Sequence, residues 1–205
     1  MRHRMGVLRF SGLSGIAAVA LGFSAVLLSI ASSPWFNWTE NALSDLGVGG
    51  SGLIFNTGLI ASGVLLIFFF LGLLKLSGGC WAWKLGSYMF LADAISLVGV
   101  GVFNESFGRV HLYFSLVFFI LMPLSLIMLG LSLWSRGIRG LSLFTLFLAL
   151  VTPTVWLMPW RGAAIPEALS TLATAVWMIN ISLKMLRSET MDRPASCPSG
   201  RVSRP

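Results

Sequence analysis

Six long apolar runs, separated by short polar or glycine-containing stretches, dominate the hydrophobic pattern of this chain. A run of about 20 apolar residues can cross the roughly 30 Å hydrocarbon layer of a bilayer as an α-helix. The pattern therefore predicts an all-α integral membrane bundle of six transmembrane helices. The predicted helices cover residues 13–31, 53–76, 83–103, 110–133, 141–158 and 165–186.

The chain divides into two predicted regions. Residues 1–186 form one six-helix transmembrane domain, and residues 187–205, rich in Ser, Pro and Arg without apolar periodicity, predict a disordered cytoplasmic tail. The first run could instead be a signal peptide, because Arg2 and Arg4 precede it. Its apolar core exceeds the roughly 7–15 residues of a signal sequence, which favours an uncleaved first helix.

Composition supports a membrane protein and argues against a nucleic-acid partner. The chain is 56% hydrophobic and 10% charged, whereas soluble domains carry about 25% charged residues. The net charge of +7 is scattered between the apolar runs and in the tail, so we expect no nucleic-acid binding. Membrane lipids are the expected partners, a membrane-protein partner is also compatible, and the oligomeric state is left open.

The basic residues predict the orientation in the membrane. If six helices alternate, most basic residues fall on one side, and Arg109 and Arg161 fall on the other. Such a bias is the positive-inside signature, so we expect both termini in the cytoplasm of a cell-membrane protein. The residues on the predicted cytoplasmic side are Arg2, Arg4, Arg9, Lys75, Lys84, Arg136, Arg139, Lys184, Arg187, Arg193, Arg201 and Arg204.

Three outer connections, residues 35–52, 104–109 and 159–166, predict a polar extracytoplasmic cap. Asn41, Ser44 and Asp45 have the i, i+3, i+4 spacing of one helix face, which predicts a short helix at the interface. These residues would tether the loop or bind a ligand, and tethering is favoured. We also expect Asp45 to contact Arg109, His111 or Arg161 and so close a lid over the bundle. The candidate ligand-binding residues are Asn41, Ser44, Asp45, Asn56, Arg109, His111 and Arg161.

His111 and Ser115 are the candidate catalytic pair. An i, i+4 spacing can place an imidazole beside a hydroxyl, and Asp45 or Glu105 could orient the ring as in a nucleophile–base–orienter set. No nucleophile-elbow motif accompanies the pair. A single outer histidine predicts no metal site, and Cys80 and Cys197 form no C-x-x-C pair, so no cofactor is expected.

Asp93 lies about halfway along the third run. A carboxyl at that depth is costly to bury and usually faces the bundle interior. It would be protonated, or paired with Asn56, Asn180 or a hydroxyl such as that of Ser96. A role in a proton or ion pathway is the functional alternative, and a lone interhelical hydrogen-bonding group is preferred.

Three segments resemble a known family. They are the N-A-L-S-D-L-G sequence at 41–47, the F-N-T-G-L-I sequence at 55–60, and the G-V-F-N-E-S sequence at 101–106, followed by His111. They look like the prokaryotic membrane family catalogued as domain of unknown function 998, over about residues 8–186. The resemblance implies a multi-pass membrane protein and brings no activity with it.

The sequence favours a non-catalytic function, as a lipid-binding or membrane-organising protein whose outer cap meets lipid headgroups or a partner. The alternatives are a lipid-modifying enzyme, using His111 with Asp45 or Glu105, and a small transporter using Asp93. A polar outer pocket containing His111, Asp45 and a hydroxyl would favour the enzyme. A water-lined path to Asp93 would favour transport, and a filled bundle would favour a structural role.

Overall fold

Six long helices account for most of the residues that the structure, a computed structural model, describes, which are residues 2–187. Each is long and apolar enough to cross a membrane, which confirms the predicted fold class of an all-α bundle. Three single-turn 3-10 helices lie in the connections, at Leu43–Gly47, Glu105–Phe107 and Val155–Leu157. The long helices are α1 (Arg2–Ala31), α2 (Gly52–Lys75), α3 (Trp81–Val102), α4 (Arg109–Ser135), α5 (Arg139–Thr154) and α6 (Ala164–Leu186).

The helix boundaries differ from the apolar runs mainly at the first and fifth helices. Helix α1 begins at Arg2 rather than at residue 13, because its basic first turns contain good helix formers that need no apolar surroundings. Helix α5 ends at Thr154, one residue after Pro153, and the chain continues as a 3-10 turn. The predicted tail falls almost entirely on residues 188–205, which lie outside the described part of the chain.

The helices form a closed ring. Each long helix packs against its neighbour in sequence, and α6 packs against α1. Because the helices alternate in direction, residues 41–47 lie at one end, together with the α3–α4 and α5–α6 connections. We call this the motif end. The opposite end, called the basic end, carries Lys75, Lys84, Arg136, Arg139 and Lys184.

Aromatic side chains fill the ring toward the basic end. Phe69 of α2, Phe90 of α3 and Trp177 of α6 are each at most 2% exposed. The ring centroid of Phe69 lies 5.5 Å from that of Phe90 and 6.3 Å from that of Trp177. The Trp177 indole donates a hydrogen bond of 3.1 Å to the Thr145 hydroxyl, which satisfies its buried N–H. This cluster closes the interior below the site described next.

Candidate functional site

Residues 41–47, which we call the motif segment, form a compact turn held by the Asp45 carboxylate. Asp45 Oδ2 accepts hydrogen bonds from the Asn41 amide, at 2.9 Å, and from the Ala42 N–H, at 3.0 Å. Leu43 and Leu46 point into the bundle, and Leu46 is fully buried. The predicted short helix is present, as a 3-10 turn over Leu43–Gly47. Its side chains therefore tie the loop down, as expected for Asn41 and Asp45.

Asn56 joins the motif segment to α2. Its amide donates a hydrogen bond of 2.9 Å to the Gly47 carbonyl. A Cβ atom at Gly47 would lie 2.7 Å from Asn56 Oδ1, so a larger residue there would displace the Asn56 side chain from its hydrogen bond. Ser51 also donates to the Leu46 carbonyl, at 3.0 Å. The spacing of N-A-L-S-D-L-G and F-N therefore has a physical basis, in which the glycine makes room for the asparagine.

The start of α6 docks on the same segment. The Leu43 N–H donates a 2.6 Å hydrogen bond to Glu167 Oε2, and the Ala164 N–H donates a 2.9 Å bond to the Asn41 carbonyl. A Cβ atom at Gly162 would lie 2.6 Å from the Asn41 carbonyl oxygen. Sequence reasoning did not single out Glu167 as a site residue. Its position in the first turn of a helix after a polar connection was the available signal.

Glu105, in the α3–α4 connection, forms an acid pair with Asp45. Partial desolvation, a hydrogen bond shared with Asp45 and repulsion from the Asp45 charge raise the pKa of Glu105 from 4.5 to about 7. Burial alone would raise the pKa of Asp45. Hydrogen bonds from the Glu105 side chain, the Ala42 N–H and the Asn41 amide outweigh burial and lower it. Below about pH 7 a protonated Glu105 therefore donates to an ionised Asp45.

The expected contact between Asp45 and a basic side chain is replaced by this acid pair. Within residues 2–187, the hydrogen bonds of Asp45 go to Asn41, Ala42 and Glu105, and no ion pair joins it to Arg109, His111 or Arg161. Arg109 and Arg161 are solvent-exposed, where screening makes an ion pair worth little. The motif segment is instead held over the bundle by Asn56, Ala164 and Glu167.

His111 and Ser115 form the hydrogen-bonded pair that their spacing predicts. The Ser115 hydroxyl lies 3.2 Å from His111 Nε2, and His111 Nδ1 lies 2.8 Å from the Phe103 carbonyl. A carbonyl can only accept, so Nδ1 donates to it, and this tautomer leaves Nε2 to accept from Ser115. The group that orients the ring is therefore the Phe103 backbone, and Asp45 and Glu105 do not bond it.

A cavity of about 310 Å³ lies beneath the motif segment, inside the ring. Its wall is mainly apolar and comes from α1, α2, α3, α4 and α6, with Leu43 and Ser44 at the motif end. Leu27 of α1 and Leu172 of α6 line it and are 60% and 49% exposed. The cavity therefore reaches the surface of the bundle on the side where α1 and α6 meet. Polar groups in the wall are Ser44, Ser62, Asp93, Ser115, Glu167, Thr171 and Thr174.

Asp93 lines this cavity without the partners that the sequence suggested. The residue is 2% exposed, and its Oδ1 atom has no hydrogen-bond partner among residues 2–187. Ser96 donates instead to the Ala92 carbonyl, at 2.9 Å, and Asn56 donates to Gly47. The expectation of an interhelical hydrogen bond is therefore wrong for Asp93 Oδ1. Its carboxyl faces an apolar space instead.

These features define a multi-pass helical membrane protein. Over residues 16–184 the chain matches the family described as "Protein of unknown function (DUF998)", and it belongs to that family. The resemblance found at residues 41–47, 55–60 and 101–106 is thereby confirmed. No curated protein and no solved structure matches the chain.

Proposed function

We propose that this protein binds a membrane lipid, without changing it chemically, in the cavity beneath the motif segment. The observation that carries the proposal is the cavity itself. Its volume of about 310 Å³ falls in the range of about 300–1,000 Å³ typical of small-molecule sites. Its apolar wall suits an acyl or isoprenoid chain, and its opening between α1 and α6 faces the hydrocarbon in which such a chain resides.

The wall of the cavity favours this function over ion transport. A permeating ion needs a path lined by water or by polar groups that replace its hydration shell. Phe23, Leu59, Phe118 and Met178 are among the apolar side chains that occupy most of this wall. The aromatic cluster of Phe69, Phe90 and Trp177 also blocks the interior toward the basic end.

Filling the cavity tests the proposal. Ala18 of α1 is 3% exposed and lines the cavity, whereas its neighbour Ala17 is exposed and does not. Wild-type protein extracted in mild detergent should retain lipid, detected by native mass spectrometry. We expect Ala18→Leu to reduce the retained lipid several-fold and Ala17→Leu to leave it unchanged, with both variants monodisperse. Lipid-free wild-type protein, or equal retention by the two variants, would reject lipid binding in this cavity.

A second candidate, a lipid-modifying enzyme, is supported by one observation. The Ser115 hydroxyl faces the cavity and donates to His111 Nε2. Ser115 could attack an ester carbonyl while His111 takes its proton and returns it to the leaving alcohol, after which water would release the acyl group. Binding is preferred because the backbone N–H groups around Ser115 are used inside α4, and the site lacks evident oxyanion donors from that helix.

A covalent probe separates the two candidates. An alkyl fluorophosphonate phosphonylates an activated serine, so an enzyme should be labelled at Ser115, and Ser115→Ala should abolish labelling. Thr171→Ala, which removes another hydroxyl of the cavity wall, serves as the control. We expect no labelling of the wild-type protein. Labelling that depends on both Ser115 and His111 would favour the enzyme.

We also propose that the motif end is an extracytoplasmic polar cap, with both termini in the cytoplasm of a cell-membrane protein. The support is the charge asymmetry between the ends, because within residues 2–187 the basic end carries nine basic residues, whereas the motif end carries two, Arg109 and Arg161. In this orientation the cavity opens into the outer leaflet. The cap would then meet lipid headgroups or a membrane-protein partner.

A further inference from the structure

Asp93 is the most polar group deep in the cavity. It lies nine residues from Val102, where α3 ends, so it sits about 14 Å below the motif end at 1.5 Å of rise per residue. The residue is 2% exposed, and its Oδ1 atom has no partner among the described residues. An unpaired buried carboxyl oxygen is costly, so this position calls for a specific partner.

No side chain of residues 2–187 donates to Asp93 Oδ1, and three hydroxyls of the cavity wall on α2, α4 and α6 are engaged elsewhere. Ser62 donates to the Ala18 carbonyl at 3.2 Å, and Thr174 donates to the Ser170 carbonyl at 3.2 Å. Ser115 pairs with His111. The cavity wall in residues 2–187 also contains no Lys, Arg or His side chain. An occupant of the cavity is therefore the candidate donor for Asp93 Oδ1.

The apolar wall also selects the kind of donor. An ionised carboxylate without a nearby cation would be strongly disfavoured at this depth, so the carboxyl is neutral and both donates and accepts. A hydroxyl likewise donates and accepts, and it satisfies such a carboxyl without bringing a charge. An ammonium group would require both partners to ionise in an apolar space, at a large desolvation cost.

We propose that the cavity binds a single-chain amphiphile with a hydroxyl head, and that this hydroxyl is hydrogen-bonded to Asp93. The proposal rests on the lipid-binding function proposed above and names the class of lipid. The alkyl chain lies along the apolar wall toward the opening between α1 and α6. Asp93 is thus the residue that distinguishes an alcohol from other chains of the same length.

Three probes of matched chain length test this preference: 1-dodecanol, dodecylamine and 1-methoxydodecane. Their dissociation constants are measured by native mass spectrometry on full-length protein in nanodiscs of a single phospholipid. We expect dodecanol to bind the wild-type protein about tenfold more tightly than the methyl ether, which corresponds to about 1.4 kcal/mol. Equal binding of alcohol and ether, or tighter binding of the amine, would overturn the proposal.

Substitutions at Asp93 assign the preference to this residue. Asp93→Asn still donates and accepts, so the alcohol preference should stay within about threefold of wild type. Asp93→Leu should abolish the alcohol preference while leaving ether binding unchanged. Ser96→Ala, on the same helix but outside the cavity wall, should have no effect.

An alcohol preference that survives Asp93→Leu would reject the assignment to Asp93. If Asp93→Leu misfolds, a loss of preference in Asp93→Asn would count against the proposal. Failure of all three probes to bind would instead reject lipid binding itself.

Discussion

At the scale of single residues, the motif end depends on carboxyl groups with different protonation states. Asp45 accepts from Asn41 and Ala42, and its pKa is lowered, whereas the pKa of Glu105 is raised to about 7, so that below this pH Glu105 holds a proton for Asp45. The pair joins the motif segment to the α3–α4 connection. Ionisation of Glu105 would remove the donor and place two negative charges together, so this link depends on pH.

The stability of the motif end should fall as the pH rises from about 4.5 to about 7. The pKa of Glu105 rises from 4.5 to about 7 on folding. In this range the folded protein therefore holds a proton that the unfolded chain has released, and the stabilisation is lost above about pH 7. Hydrogen exchange at residues 41–47, corrected for intrinsic rates, should be slower at pH 5.5 than at pH 8.

Glu105→Gln should weaken this pH dependence, because its amide donates to Asp45 at every pH, while the buried Glu167 carboxyl still accepts from Leu43 of the same segment. Glu40→Gln changes an exposed carboxyl of the same end and should retain it. If Glu105→Gln and wild type show the same pH profile, the acid pair does not hold the motif segment.

Several contacts of the site could not be predicted from the sequence, because the groups that make them leave no recognisable sequence pattern. The His111–Ser115 pair was predicted, since an i, i+4 spacing fixes it within one helix. The orienting group is a backbone carbonyl, which any residue could supply. The Asp45–Glu105 pair contradicts ordinary charge pairing, so sequence reasoning favoured a basic partner. Only the fold shows that Arg109 and Arg161 remain in solvent.

At the scale of elements, the six helices were predictable because length and hydropathy alone determine a membrane span. Their packing was not, because apolar side chains surround each helix and the pattern does not show which face is buried. Within a membrane, close packing depends on small residues rather than on hydrophobicity. Gly58 of α2 is one such contact, because a Cβ atom there would collide with Ala25 of α1.

Gly58→Leu should separate α1 from α2 and destabilise the bundle. Inserting a larger side chain into a packed contact typically costs about 1–3 kcal/mol. The thermal unfolding midpoint in detergent should fall accordingly. Thr57→Leu changes an adjacent exposed position and should leave the midpoint nearly unchanged. Equal effects of the two substitutions would show that the α1–α2 contact does not depend on Gly58.

At the scale of the whole molecule, the closed ring makes the two ends of the bundle unequal. Aromatic side chains fill the interior toward the basic end, whereas the motif end covers a cavity that opens beside α1 and α6. A cavity that opens only on the half of the bundle near the motif end faces one leaflet of the bilayer. Which leaflet this opening faces therefore depends on the orientation of the protein in its membrane.

Cysteine labelling decides this orientation. Gly50 at the motif end and Gly140 at the basic end are exposed, and a Cβ atom at either would meet open space. In a chain whose own cysteines are replaced, an impermeant maleimide added to intact cells should label Gly50→Cys and leave Gly140→Cys unlabelled. Permeabilised cells should show labelling of both variants, which controls for expression and reactivity.

Labelling of Gly140→Cys alone in intact cells would invert the orientation, and the cavity would then open into the cytoplasmic leaflet. Equal labelling in intact cells would contradict a single orientation for the six-helix bundle.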